Sequence, residues 1–250
     1  PRRPTTIAIA AGRAQPQPIR IMLPEKPVCK QCGTCCRKGG PALHRQDETL
    51  FREGLLRAQD LCAFRAGELV RDENEGRIVP LPQEIVKIAP PAGSRPDDWT
   101  CRFLMGTNSC FLYGKHPAEC RALFCQAPEA LLSMSGEDRL DRRAVCELIK
   151  APAWWSELMD AHDERCDYAH LTELAPALNE DETARREFLE IVEYDRAFRE
   201  LVADKQAALP LELDFLFGRP LLRTVVMYGL DARPAPDGGI MLVQTTKAAL

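Results

Sequence analysis

The octapeptide CKQCGTCC at residues 29–36 places four thiols, Cys29, Cys32, Cys35 and Cys36, within eight positions. Spacing this tight serves a disulfide framework, a metal site or a redox motif. In a CxxC pair two sulfurs converge on one metal because the residues between them close into a tight knuckle. Gly33, directly after Cys32, suits that knuckle, since glycine takes positive φ at no cost and its amide can approach a thiolate. Cys29, Cys32 and Cys35 also match the first three positions of the bacterial ferredoxin run C-x2-C-x2-C. The match ends there, because Cys36 follows at once where that run has three residues and then Cys-Pro. In an extended backbone neighbouring side chains point to opposite faces, so Cys35 and Cys36 are expected to serve different metals or different atoms of one cluster.

The adjacency asks for more thiols, and Cys101, Cys110, Cys120 and Cys125 supply them. Eight thiols are enough for two tetrathiolate sites or for shared, interleaved ligation of a cluster. Cys62, Cys146 and Cys166 lack a close second thiol and are expected as small core or surface residues. His44 and His116 are rival ligands, though neither is required with eight thiols present, and His162 and His170 are expected to cap or pack helices. No thiol is marked out as a lone catalytic nucleophile, so no catalytic residue is assigned. A thiolate metal centre is anionic, and Lys30, Arg37, Lys38, Arg102, Lys115 and Arg121 lie near the cysteines in sequence. They are expected to offset its charge first and to dock a partner second. Phe111, Tyr113, Trp154 and Trp155 are expected in the core.

The run CKQCGTCCRKGGPALH, followed by TCRFL and by SCFLYGKHPAECRALFC, resembles the CxxCxxCC cysteine-cluster family, called YkgJ-like. The resemblance covers roughly residues 28–127. It implies chelation of zinc or iron, with Cys29, Cys32, Cys35, Cys36, Cys101, Cys110, Cys120 and Cys125 as ligands. One branch of that family includes flagellin lysine methylases, whose cysteine motif holds an iron–sulfur cluster. The chain has no glycine-rich motif for a methyl-donor nucleotide, so that activity is not carried over. The expectation is an iron–sulfur protein, with a 4Fe-4S cluster favoured, in an electron-transfer or accessory role. Zinc, held for structure or chelation, is the alternative, and a methylase- or redox-type enzyme built around the cluster is a third reading.

The elements that must position these thiols can be read from pattern and charge. Residues 1–27 carry six prolines, five basic groups and one acid, and read as an extended basic arm able to bind the domain, a second copy or a partner. Residues 28–127 hold nine of the eleven cysteines and are almost charge-balanced, with 14 basic and 12 acidic groups. Within them a short helix is expected over 47–58, a hairpin over 62–81 turning at Asn74 to Gly76, and a second hairpin over 99–113. Pro117 is expected to open a short helix. Residues 128–250 hold 14 basic and 24 acidic groups and read as mainly helical. Their longest helix is expected over 179–209, capped by Asn179 with Glu182, its apolar face carrying Phe188, Ile191, Val192, Phe198, Leu201 and Val202. The stretch 221–230 is ambiguous between helix and strand, and 238–244 reads as a terminal strand. The expected fold class is therefore α+β: an irregular, metal-organised cysteine domain with short hairpins and helices, and a mostly helical C-terminal region packed on it.

Composition narrows the setting. The net charge is −4, and the acidic C-terminal half argues against a nucleic-acid binder. No run approaches the roughly 18 apolar residues of a membrane span, and TTIAIAA is too short for the apolar core of a secretion signal. An odd cysteine count without a visible signal points to a reduced, cytoplasmic compartment, and the family resemblance implies a bacterial protein.

Overall fold

The computed structural model describes residues 29–72, 76–95, 97–125, 127–134, 136–235 and 239–245. The basic arm and the turn at Asn74 lie outside the described residues.

The cysteine octapeptide ends in a one-turn helix, α1 (Thr34–Lys38), followed by α2 (Glu48–Arg52) after a short 3-10 turn. Helix α2 is shorter than expected, because the chain turns over Glu53 and Gly54 and brings the Leu55 amide back to the Leu50 carbonyl. Four strands follow: β1 (Leu61–Phe64), β2 (Leu69–Asp72), β3 (Arg77–Pro80) and β4 (Ile85–Ile88). Strands β2 and β3 form the expected hairpin, with Leu69 opposite Pro80, but β1 leaves it and pairs antiparallel with β4, Leu61 opposite Ile88. The reason is burial: Leu61, Cys62 and Ala63 are all buried, whereas β2 is only half-covered. Residues 99–113 do not form a ladder. They make a tight loop held by one bridge between Leu104 and Cys110 and by the Met105 amide on the Ser109 carbonyl.

The helical part begins with α3 (Ala118–Ala122), opened by Pro117 as expected, and α4 (Glu129–Met134). Then come α5 (Arg142–Ile149), α6 (Trp154–Arg165), α7 (Tyr168–Leu174) and the long α8 (Glu182–Asp204). Aspartates start three of these: Asp141, Asp167 and Asp181 each accept a bond from the first-turn amide of Ala144, Ala169 and Thr183. The cap of α8 is thus Asp181 and not Asn179, because residues 175–177 already form a 3-10 turn that carries Asn179 outside the helix. Leu201, expected on the buried face, is 52% exposed, and the salt-bridged Asp195 and Arg199 occupy that face instead. The ambiguous stretch resolves as α10 (Leu221–Thr224), after α9 (Leu213–Leu216), with a 3-10 turn before β5 (Leu230–Pro234), which pairs with β6 (Ile240–Gln244). Helices and three two-stranded antiparallel sheets make the chain a mixed α+β protein. Among the described residues no helix is long and apolar enough to cross a membrane.

Two apolar clusters hold it together. The larger joins Leu43, Leu61, Val86, Ile88, Cys101 and Leu112 from the cysteine region to Val145, Trp155, Phe215 and Phe217 from the helical region. The smaller collects Tyr168, Leu171, Phe188, Ile191, Val192 and Leu221. Burying such side chains contributes on the order of 1.5–3 kcal/mol each, so the shared core binds the two sequence regions firmly. Buried arginines then fasten the backbone of residues 213–218. Arg142 donates to the Leu216 carbonyl at 2.5 Å, and Arg199 donates to the carbonyls of Gly218 and Leu213 at 2.8 and 3.2 Å. Arg142 also pairs with Glu84 and Asp163, and Arg219 pairs with Glu68, 151 residues away.

Candidate metal centre

The thiols arrive from three stretches of chain. Gly33 caps α1 with φ +73°, and a Cβ there would stand 2.7 Å from the Arg37 guanidinium. That turn throws Cys35 and Cys36 onto the start of a helix. They are therefore not on an extended backbone, and they do not diverge as expected: helical neighbours are about 100° apart, not 180°, and their sulfurs lie 3.9 Å apart. At the other end of α1, Gly40 passes so close to β4 that a Cβ would sit 2.2 Å from the Ile88 carbonyl oxygen. The octapeptide is thus locked onto the β1–β4 ribbon.

Cys101 joins directly, its amide donating to the Cys36 carbonyl at 2.7 Å. Cys110 stands at the Leu104 bridge of the tight loop. Cys120 rides on α3, whose Glu119 carboxylate accepts from the Ala42 amide at 2.7 Å and faces His44 Nε2 at 3.3 Å. Cys125 lies past the end of α3, exposed like Cys29 and Cys32.

Electrostatics record how closely the thiols gather. Burial pushes Cys35 up to about 11, and the adjacent Cys36 and then Cys125 add to the shift. Cys36 is raised by burial and by Cys101, Cys110 and Cys29. Cys101 is raised by burial and by Cys110 and Cys35, and Cys110 by burial and by Cys29 and Cys35. Cys120, the most strongly raised, is half-buried, and after burial it is raised by Cys101, Cys36, Cys110 and Cys35. Seven of the eight predicted ligands therefore bear on one another. Cys32 stands apart: it is fully exposed, and its hydrogen bond to Thr34, 3.4 Å away, lowers its pKa. Cys62, Cys146 and Cys166 are shifted up by burial, with nearby carboxylates adding to the shift and arginines or lysine opposing it, and no other thiol acts on them. All eleven cysteines are free thiols.

The donor set fits a thiolate metal centre. The Gln31 amide donates to the Cys29 sulfur at 3.4 Å, and positive charge from Arg37 and Arg102 favours the thiolates of Cys32 and Cys101. Other cations expected to offset the centre are committed elsewhere: Lys115 pairs with Glu53 and Arg121 donates to the His116 carbonyl. His44 is buried with Nδ1 on the Glu137 carbonyl and Nε2 on Glu119, so both ring nitrogens are taken. His116 packs edge-on against Tyr113. Phe111 and Tyr113 are 64% and 50% exposed, and Trp154 is 51% exposed, so of the four aromatics expected in the core only Trp155 is buried. Each exposed ring sits on a loop or helix start whose inward places are filled by Leu112 and Trp155.

Sequence reasoning missed a second cluster. His162, Cys166 and Asp195 bring ligand-type atoms within 4.8 Å of one another, fully buried, the one such trio among the described residues. The i, i+4 spacing of His162 and Cys166 was the available signal. Asp195 accepts from His162 Nε2 and Arg199 Nε, both at 2.7 Å, and from the Leu221 amide at 2.8 Å. Arg199 already supplies the cation here, so the trio reads as a structural ionic network. Other pockets are shallow: an open cleft of about 450 Å³ lies beside Arg165 and Tyr194, away from the eight cysteines.

Compared with known proteins, the chain matches no family model, no curated protein and no solved structure.

Proposed function

We propose that the chain is a metal-binding cysteine-cluster protein that holds one or two iron–sulfur clusters in an electron-transfer or accessory role, in a reducing compartment. The observation that carries this reading is the gathering of Cys35, Cys36 and Cys101, with the first two sulfurs 3.9 Å apart and the Cys101 amide on the Cys36 carbonyl, and with Cys29, Cys110, Cys120 and Cys125 near enough to act on them electrostatically. Cys32, four residues before Cys36, is the eighth ligand of the set. A hydrophobic core has no use for so many thiols placed to repel one another once ionised. The motif resemblance to the CxxCxxCC family supports the same ligands.

The spread of the sulfurs favours a multinuclear centre over a single zinc ion. Four thiolates around one zinc at about 2.3 Å would stand about 3.8 Å from one another, yet no three of these sulfurs lie within 4.8 Å. Ligands to different irons of a cluster need no such convergence. When bound, the cluster would supply a one-electron couple. The chain's own residues would hold it, with the Gln31 amide and Arg37 steadying the rim and Arg102 the buried side.

Anaerobic purification followed by an absorption spectrum and metal analysis tests the reading. A broad band at roughly 400 nm with stoichiometric iron is the expected result. A colourless protein carrying zinc would replace it with the zinc reading, and a metal-free protein would overturn both.

A further inference from the structure

One tight loop displays an apolar face at the thiol site. It carries Cys110, and beside it Met105, Phe111 and Tyr113 are 51%, 64% and 50% exposed. Phe111 is presented by stacking on Phe103, their centroids 6.2 Å apart, so the ring is fixed outward and not merely loose. The loop touches α1 through Asn108, which accepts from Arg37. Arg37 and its sequence neighbours Lys30 and Lys38 are all exposed, and among the described residues no carboxylate pairs with them. Elsewhere cations are regularly paired, as with Lys115 and Glu53 or Arg143 and Asp160.

We propose that this face is the docking surface for an acidic one-electron carrier protein, the apolar trio making the contact and Lys30, Arg37 and Lys38 steering the approach. The proposal rests on the iron–sulfur reading. An apolar centre ringed by unpaired charge of one sign is how small, transient interfaces gain rate without tight affinity. The exposed thiols Cys29, Cys32 and Cys125 put the centre at this surface, where transfer distance is short. The step is a single electron passing from the reduced carrier to the centre; the carrier is oxidised by one electron, the centre is reduced by one, and no bond forms or breaks. The occupant is acidic because the free charge here is basic. RNA fits less well, since the chain as a whole carries −4.

The test uses the full chain purified anaerobically and an acidic plant-type [2Fe–2S] ferredoxin as the probe. Binding is followed by sedimentation, reduction by stopped-flow absorbance, and iron content is measured for each variant. Replacing Lys30→Glu and Lys38→Glu together should slow ferredoxin-driven reduction about tenfold at low salt, with the difference vanishing at high salt. Phe111→Ser should weaken binding at all salt concentrations. Dithionite, which needs no docking, should reduce the Phe111→Ser protein like the parent. A coloured, iron-replete protein whose variants bind and react like the parent overturns the docking surface alone. So does a patch whose variants lose affinity for single-stranded RNA instead. A chain that binds no iron overturns the reading beneath it.

Discussion

The Cys101 amide donates to the Cys36 carbonyl at 2.7 Å, tying the octapeptide to a stretch 65 positions further along by a backbone bond that no side-chain replacement removes. Replacing single cysteines should therefore leave the scaffold standing and report on ligation alone. Serine at Cys36 or Cys110 should cut metal per chain by half or more, while serine at Cys146 should leave it unchanged, metal analysis being the measure. Full loading without Cys36 would show that the thiols gather for another reason.

Because the main core spans both sequence regions, chelation should not unfold residues 28–127 wholesale. Hydrogen exchange after metal removal should rise over residues 29–38 and 101–125, while β1 and β4 keep their protection. Loss of protection in β1 would mean that the metal holds the core itself.

Metal loading should release protons. Burial keeps Cys35, Cys36, Cys101, Cys110 and Cys120 protonated at neutral pH, so each must lose a proton to ligate. Roughly one proton per ligating thiol should appear in weakly buffered solution, and apparent affinity should fall steadily as pH is lowered. Loading without acidification would contradict it.

Gly40→Ala places a methyl group against the Ile88 backbone, and neither backbone can yield cheaply. A loss of about 1–3 kcal/mol is expected from such overpacking, with weaker metal retention because α1 is displaced. Urea unfolding and metal analysis read the two effects.

The arginine network sets the acid limb of stability. Burial would raise the Asp163 carboxyl, but hydrogen bonds from His162 and Arg142 and the charge of Arg65 hold it far below the usual range. Its contribution is present above the unfolded value of about 4 and is lost as pH falls toward the folded value. Glu68 runs the other way: burial outweighs Arg219 and raises it, so its contribution is greatest in acid and declines as pH rises through the raised value. Urea midpoints measured across pH should show a flatter acid limb for Asp163→Asn. Arg142→Met, which strands Glu84 and the Leu216 carbonyl, should cost about 3 kcal/mol near neutral pH.

Much of this was readable from the chain alone where the signal is local. The terminal strand, the turn-bounded β2–β3 hairpin and the proline-started α3 all follow from neighbouring residues. What failed was non-local. β1 looked like a hairpin arm because its true partner, β4, lies beyond the intervening hairpin. Cys35 and Cys36 looked extended because a one-turn helix has no periodicity to detect. Phe111 and Tyr113 looked like core because aromatic rings usually are, and only the three-dimensional placement of Leu112 between them shows which side faces inward. Asp195 and Arg199 broke the apolar pattern of α8 for the sake of carbonyls 14 and 19 residues on from Arg199.

The contact of α9 with β1 has a consequence for synthesis. Phe215 and Phe217 cover a strand that the ribosome made about 150 residues earlier, an interval on the order of ten seconds at ordinary rates of elongation. Every thiol of the eight leaves the exit tunnel before the segment that shields their scaffold exists. The nascent chain is consequently most open to oxidation, and to capture by a chaperone or a cluster donor, during the making of its second half.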